Sequence, residues 1–205
     1  MPAPRGVSPY LDSHTKRFLE LVLTCLLLPV VLLGGLLIAA VILVADGRPV
    51  LFCQQRVGRN GGRFRLCKFR TLQAGTTEDG GDAFTAESDL RARYTRTGGF
   101  LRRRRLDELP QVFAVITGTM SLVGPRPECV EIVQRYGARH AKRLWCRPGV
   151  TGLWQVLAPR NRPIHERMKY DLYYLRRASL ALDLRILALT VLVLLRPGRL
   201  DGSGR

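Results

Sequence analysis

The fold class this sequence predicts is a small mixed α/β domain, held on a membrane by an N-terminal re-entrant helix and by interfacial amphipathic helices. Three observations carry that prediction. Residues 21–45 form an uncharged apolar run with basic residues on both sides. Residues 50–70 read as two strands around an Asn-Gly turn. The remainder falls into short segments with apolar residues at helical spacing, closing with a second apolar stretch over 180–195. A length of 205 residues suits one domain with a real core plus a membrane element.

The apolar run comes first. At ~1.5 Å per residue it makes roughly 37 Å of helix, enough to cross the hydrocarbon core. It is too long for the apolar core of a signal peptide. Pro29 sits inside it and favours a bend. Both flanks are basic, with Arg5, Lys16 and Arg17 before and Arg48, Arg56, Arg59, Arg63 and Arg65 after. Basic flanks prefer the cytoplasm, and a helix bending at Pro29 satisfies both ends where a spanning helix satisfies one. On these grounds alone a spanning helix remains the alternative.

The hairpin follows. Residues 50–57 are the first strand, 58–62 the turn, and 63–70 a strand alternating basic and apolar residues. Arg59, Arg63 and Arg65 read as a solvated face. Residues 73–89 are rich in Gly and Thr and hold five of the sixteen acidic residues; they read as a surface loop, either a linker or a lid. Seven arginines and no acid lie in 91–105.

Two adjacent carboxylates, Asp107 and Glu108, then follow Arg102-Arg103-Arg104-Arg105 after a single leucine, Leu106. Arginines hold phosphate, whereas carboxylates repel it unless a metal intervenes or one of them attacks phosphorus. The arrangement suggests phosphoryl chemistry. Leu109, Val112, Phe113 and Ile116 predict a helix that starts at the dyad, with Asp107 near its N-cap, and stops at Gly118. Further on, 150–156 reads as a strand, 164–178 as a helix, and 180–195 as an amphipathic interfacial helix too short to span.

Composition narrows the partners. A net charge of +17 suits nucleic acid, an anionic leaflet or phosphorylated substrates. A basic membrane-anchored protein that binds nucleic acid or anionic lipid explains the charge and the anchor, but not an acidic pair inside a basic region. Five cysteines without a CxxC pair argue against a disulfide framework and fit a reducing compartment. Three scattered histidines argue against a zinc site.

Several motifs, in order, resemble the bacterial sugar transferase family, the monotopic phosphoglycosyl transferases. They are the apolar segment with its proline; Gln55-Arg56-Val57-Gly58; Lys68-Phe69-Arg70-Thr71; Phe100-Leu101-Arg102-Arg103; Leu106-Asp107-Glu108-Leu109-Pro110-Gln111; the stretch 120–127 with Pro125-Arg126-Pro127; and Arg147-Pro148-Gly149 through Gln155-Val156. Each is weak alone; together they cover residues 16–195.

The resemblance implies a division into a cytoplasmic segment 1–17, a re-entrant helix 18–46, a catalytic domain 47–196 and a flexible tail 197–205. It implies transfer of a phosphosugar from a UDP-sugar to undecaprenyl phosphate at the cytoplasmic face of the bacterial inner membrane. UMP is then released, magnesium is required, and a cell-surface glycan is begun. Asp107 matches the nucleophile and Glu108 its magnesium-binding partner. Arg102, Arg126, Lys68 and Arg70 match phosphate- or substrate-binding positions. The expected partners are the UDP-sugar, undecaprenyl phosphate and membrane lipids, with a homodimer as one option and no nucleic acid. Leu72, Arg104-Arg105 and Leu157-Ala158-Pro159-Arg160 depart from the family pattern, the last in the region expected to set sugar or nucleotide specificity. None is a catalytic position.

Overall fold

The structure is a computed structural model. It describes residues 6–73, 75–76, 93–157 and 164–195. Most of the 73–89 loop, the departure at 158–160 and the tail lie outside these residues.

Helix α1, His14–Ala45, is α-helical throughout with Pro29 inside it. Ser13 caps it, accepting from the Lys16 amide at 3.1 Å. The helix therefore starts ahead of residue 18. Its middle is bare: Leu26, Val30, Leu33, Leu36 and Leu37 are each more than two-thirds exposed. Its two ends are not. Lys16, Glu20 and Thr24 are buried at one end and Ile42 at the other.

Strands β1, Leu51–Val57, and β2, Arg63–Phe69, form the expected antiparallel hairpin. The turn works because Asn60 and Gly61 both take positive φ, 55° and 81°. The two-residue strand β4, Glu128–Cys129, pairs with the far edge of β1. Register also corrects the cysteine reading. Cys53 lies opposite Cys67, and the two form a disulfide with their Cα atoms 4.1 Å apart. The pairing is invisible to composition because it depends on register, not on cysteine count or spacing motif.

Three further segments depart from expectation. First, no α-helix starts at the dyad. A 3₁₀ segment, Leu106–Gln111, carries it, and the α-helix α3 runs only from Val112 to Ile116. The residue before that segment is Arg105, at φ 55°, so Asp107 is not the N-cap. Second, β5, Gly149–Thr151, is short and parallel to β3, Ser121–Val123. The next residues, Leu153–Leu157, form helix α4. A Cβ on Gly152 would stand 2.3 Å from the Gly124 carbonyl oxygen, so only glycine lets the two chains pass here. Third, α6, Leu180–Leu195, has the expected bounds, but its acid points inward while Arg185 stays exposed. Asp183 is buried, while Leu184, Val191, Leu192 and Leu195 face outward. Helix α5, Ile164–Arg177, agrees with the sequence reading.

The main core gathers Val123, Leu153, Val156, Tyr174, Leu175 and Ile186 from β3, α4, α5 and α6. A second cluster joins α1 to the hairpin through Ile42, Phe69 and Leu101, with Leu106 and Leu109 beside them. That cluster sets the dyad segment against the hairpin.

Under the core lies a buried ionic hub. Lys16 Nζ is 2.6 Å from Asp183 and 2.9 Å from Glu20, and donates to the Tyr174 hydroxyl and the Val123 carbonyl. Tyr174 donates to Asp183 at 2.7 Å, and Glu20 accepts from Ser121 and from the Leu122 amide. The start of α1 is thereby locked to β3, α5 and α6.

Candidate active site

Asp107 is buried, at 6 % exposure, in the first turn of the 3₁₀ segment. The arginine run before it belongs to the short helix α2, Gly98–Arg103, and to the left-handed Arg105 that turns the chain out of it. Arg105 also donates to the Gln155 carbonyl at 3.1 Å, pinning the turn to α4. Two carboxylates are thus displayed by a tight, pinned turn rather than by a long helix. Any help from a helix dipole falls away with that geometry.

Arg126 reaches Glu108 Oε1 at 2.6 Å. Its backbone is held on both sides. The Pro125 carbonyl accepts from the Gly149 amide at 2.8 Å, and the Arg126 carbonyl accepts from Arg143 at 2.8 Å. Arg143 is itself buried and ion-paired to Asp171 at 2.8 Å and Glu128 at 3.1 Å. The prolines therefore act alongside a buried arginine in fixing where Arg126 points. Arg143 carries no local sequence signal and was not anticipated; neither was Arg105.

The electrostatics separate the two acids. Burial, then the adjacent charge of Glu108, push Asp107 up to about 6, against the pull of Lys68, Arg102 and Arg126. Burial acts on Glu108 in the same sense, but the Arg126 guanidinium overrides it and holds Glu108 below its usual range. Glu108 and Arg126 form a settled ion pair, while Asp107 keeps a more basic carboxylate beside it. Lys68, on β2, is pushed down to about 7 by burial and by Arg126 and Arg56, partly offset by Asp107.

Of the six residues singled out from the sequence, five converge electrostatically: Asp107, Glu108, Lys68, Arg102 and Arg126. Arg102 also lies 5.9 Å from the Tyr94 ring centroid. Arg70 has a different engagement. Its terminal nitrogens donate to the carbonyls of Asp46, Gly47 and Arg48 at 2.5–2.9 Å, stapling the end of α1 to the hairpin. That geometry gives it an anchoring contact rather than an observed place at the dyad. Asp46 completes the joint by accepting from the Arg96 and Thr97 amides and the Thr97 hydroxyl.

A magnesium ion suits this donor set in one way only. Among the described residues no three acids, histidines or cysteines cluster. A cage made of protein alone is therefore not what the dyad offers. One or two carboxylates with substrate phosphates completing the shell is an ordinary magnesium arrangement, and Glu108 fits it.

Comparison with known proteins places the chain in a family. The family model described as "Bacterial sugar transferase" matches residues 11–197. The chain is 37% identical over 203 residues to the galactosyl transferase CpsE of Streptococcus agalactiae, covering 91% of this chain and 44% of that protein. It is 40% identical over 167 residues to the UDP-glucose:undecaprenyl-phosphate glucose-1-phosphate transferase of Xanthomonas campestris, covering 76% and 33%. The exopolysaccharide production protein PSS of Rhizobium leguminosarum is 37% identical over 179 residues, covering 80% and 86%. The chain spans less than half the length of the first two relatives and most of the third. With a match over nearly its whole length, and a buried carboxylate pair ringed by cations, this chain belongs to the bacterial sugar transferase family.

Proposed function

We propose that the chain transfers a phosphosugar from a UDP-sugar to undecaprenyl phosphate, releasing UMP and starting a cell-surface glycan. The observation that carries the reading is the division of labour in the dyad: Glu108 paired to Arg126, and Asp107 buried and more basic beside it. Relatives named as undecaprenyl-phosphate glucose or galactose phosphotransferases supply the substrate class.

The reaction runs in two displacements. An Asp107 oxygen attacks the sugar-bearing phosphorus; the new O–P bond forms as the bond to UMP breaks, and the bridging oxygen leaves with UMP. A phosphate oxygen of undecaprenyl phosphate then attacks the same phosphorus and releases the Asp107 carboxylate. Lys68, Arg102 and Arg126 face the diphosphate and offset its charge. Magnesium, held by Glu108 and the substrate phosphates, supplies further neutralisation when bound. Mass spectrometry of UMP and UDP released from a UDP-sugar panel tests the reaction class. UMP supports it, and UDP identifies a transferase that leaves phosphate behind.

The same reading sets topology. Lys16 and Ile42 are about 39 Å apart along a straight helix, more than the ~30 Å hydrocarbon core. Yet the same domain packs on both, through Asp183 at one end and Phe69 and Leu101 at the other. A spanning α1 would put those ends on opposite surfaces. We therefore place both ends at the cytoplasmic face of the bacterial inner membrane, with the bare middle of α1 inserted. An N-terminal tag that labels only from outside the cell would overturn this.

A further inference from the structure

Beside the open end of the hairpin is a cavity of about 220 Å³. Pro49, Leu51, Phe52, Phe69 and Leu72 give it an apolar lining, and Lys68 contributes an amine. Polar residues between 70 and 76 complete the wall, but the terminal nitrogens of Arg70 already donate to the carbonyls at the end of α1. Lys68 stands directly across from Phe52 in the hairpin register, and its charge acts on Asp107.

Position and size narrow the occupant. Phe69 packs with Ile42 of α1, and its Cζ would lie 3.8 Å from a Cβ on Gly35, inside the apolar run. The same ring belongs to the cluster that includes Leu106, next to the dyad. The cavity therefore borders the membrane helix on one side and the reaction centre on the other. At about 220 Å³ it falls below the ~300–1,000 Å³ usual for whole drug-sized ligands, so it is too small to enclose a nucleotide sugar. Its apolar lining, with the Lys68 amine among it, suits an apolar chain ending in an anion.

We propose that this cavity receives the phosphate-proximal isoprene units of the polyprenyl phosphate acceptor, with Lys68 meeting the acceptor phosphate beside Asp107. The inference deepens the proposed function and rests on it for the identity of the acceptor. Bound this way, the chain passes from the bilayer along Phe69 and Leu51 and delivers its phosphate oxygen toward the phosphorus carried by Asp107. Leu51 is 44% exposed, so its side chain can be enlarged at the cavity mouth without opening the core.

The test uses the full chain in nanodiscs and Leu51→Trp. Two quantities are read: UMP released in one turnover without acceptor, and steady-state turnover against undecaprenyl phosphate concentration. The expected result is an unchanged acceptor-free burst with the KM for undecaprenyl phosphate raised about tenfold, equivalent to one apolar subsite. A smaller burst with a raised donor KM would assign the cavity to the nucleotide sugar and overturn the proposal. Unchanged kinetics in both arms would make it an unused void. A second arm photolabels the Asp107→Asn protein with a diazirine-bearing polyprenyl phosphate, with a diazirine phospholipid as control. Labelling of the 49–52 and 68–72 peptides by the polyprenyl phosphate alone is expected. Equal labelling by both probes would mean a general lipid site. This arm still decides the cavity's ligand if the wild type releases no UMP from any UDP-sugar, the outcome that would sink the proposed reaction instead.

Discussion

Around Lys16 and around Asp107 the chain buries ionisable groups of both signs, and the two burials are built differently. At Lys16 the charges interlock. One ammonium meets two carboxylates, a tyrosine hydroxyl and a carbonyl, and both carboxylates accept further hydrogen bonds. At Asp107 the acids are neighbours in sequence, forced together by a 3₁₀ turn, and Glu108 is ion-paired to Arg126. The first arrangement satisfies its charges and fixes α1 to the domain. In the second, burial and the adjacent Glu108 charge outweigh the neighbouring cations and leave Asp107 a more basic carboxylate than an ordinary aspartate. The interlocked charges hold the fold; the adjacent like-charged pair is where the proposed chemistry would sit.

Substitutions at the two places should therefore fail in different ways. Asp107→Asn should cost more than about 10³-fold in turnover, since it removes the proposed attacking group. It should leave thermal stability equal or higher. The raised Asp107 value means the folded protein binds that proton more tightly than the unfolded chain. Its contribution to stability is full below the ordinary carboxylate value and is lost as pH rises through about 6, so asparagine relieves a cost present at pH 7.5. Lys16→Met should do the reverse, costing about 3–5 kcal/mol of stability by leaving Glu20 and Asp183 buried and facing each other. Thermal unfolding in detergent reads both, and a stable Lys16→Met protein would break the comparison.

Arg126→Lys keeps the charge but loses the planar fork, and about a tenfold to hundredfold fall in kcat/KM is expected with little change in unfolding. Below pH 6 the acceptor-free burst rate should drop about tenfold per pH unit as Asp107 protonates, and a flat profile would detach the burst from this carboxylate. The smallest effect belongs to the surface pair of Arg59 and Asp12, 2.7 Å apart and about one-third exposed. Arg59→Ala should cost under about 1 kcal/mol and leave turnover unchanged.

Sequence patterns that depend on near neighbours were legible. The apolar run, the Asn-Gly hairpin, and the bounds of α5 and α6 follow from periodicity and turn chemistry. The dyad and its proline-flanked arginine were legible as a charge anomaly. What was missed depends on register or on distant partners. Cys53 and Cys67 each stand seven residues from Asn60, a symmetry that would have paired them had it been counted. Lys16 read as a flanking charge and Asp183 as an interruption in an apolar stretch, because 167 residues separate the two halves of that bond. The strand expected over 150–156 ends early at Gly152, where Gly124 comes too close for a side chain, and no local pattern announces that approach.

The central claim is that Asp107 carries the phosphosugar between donor and acceptor. Its most direct test is intact-mass and peptide mass spectrometry of protein incubated with magnesium and the UDP-sugar that gives UMP, with no undecaprenyl phosphate present. The account predicts one sugar phosphate per chain, mapped to Asp107, absent from Asp107→Asn and discharged when undecaprenyl phosphate is added. Full lipid-dependent turnover by Asp107→Asn, or an adduct mapped to another residue, would contradict it.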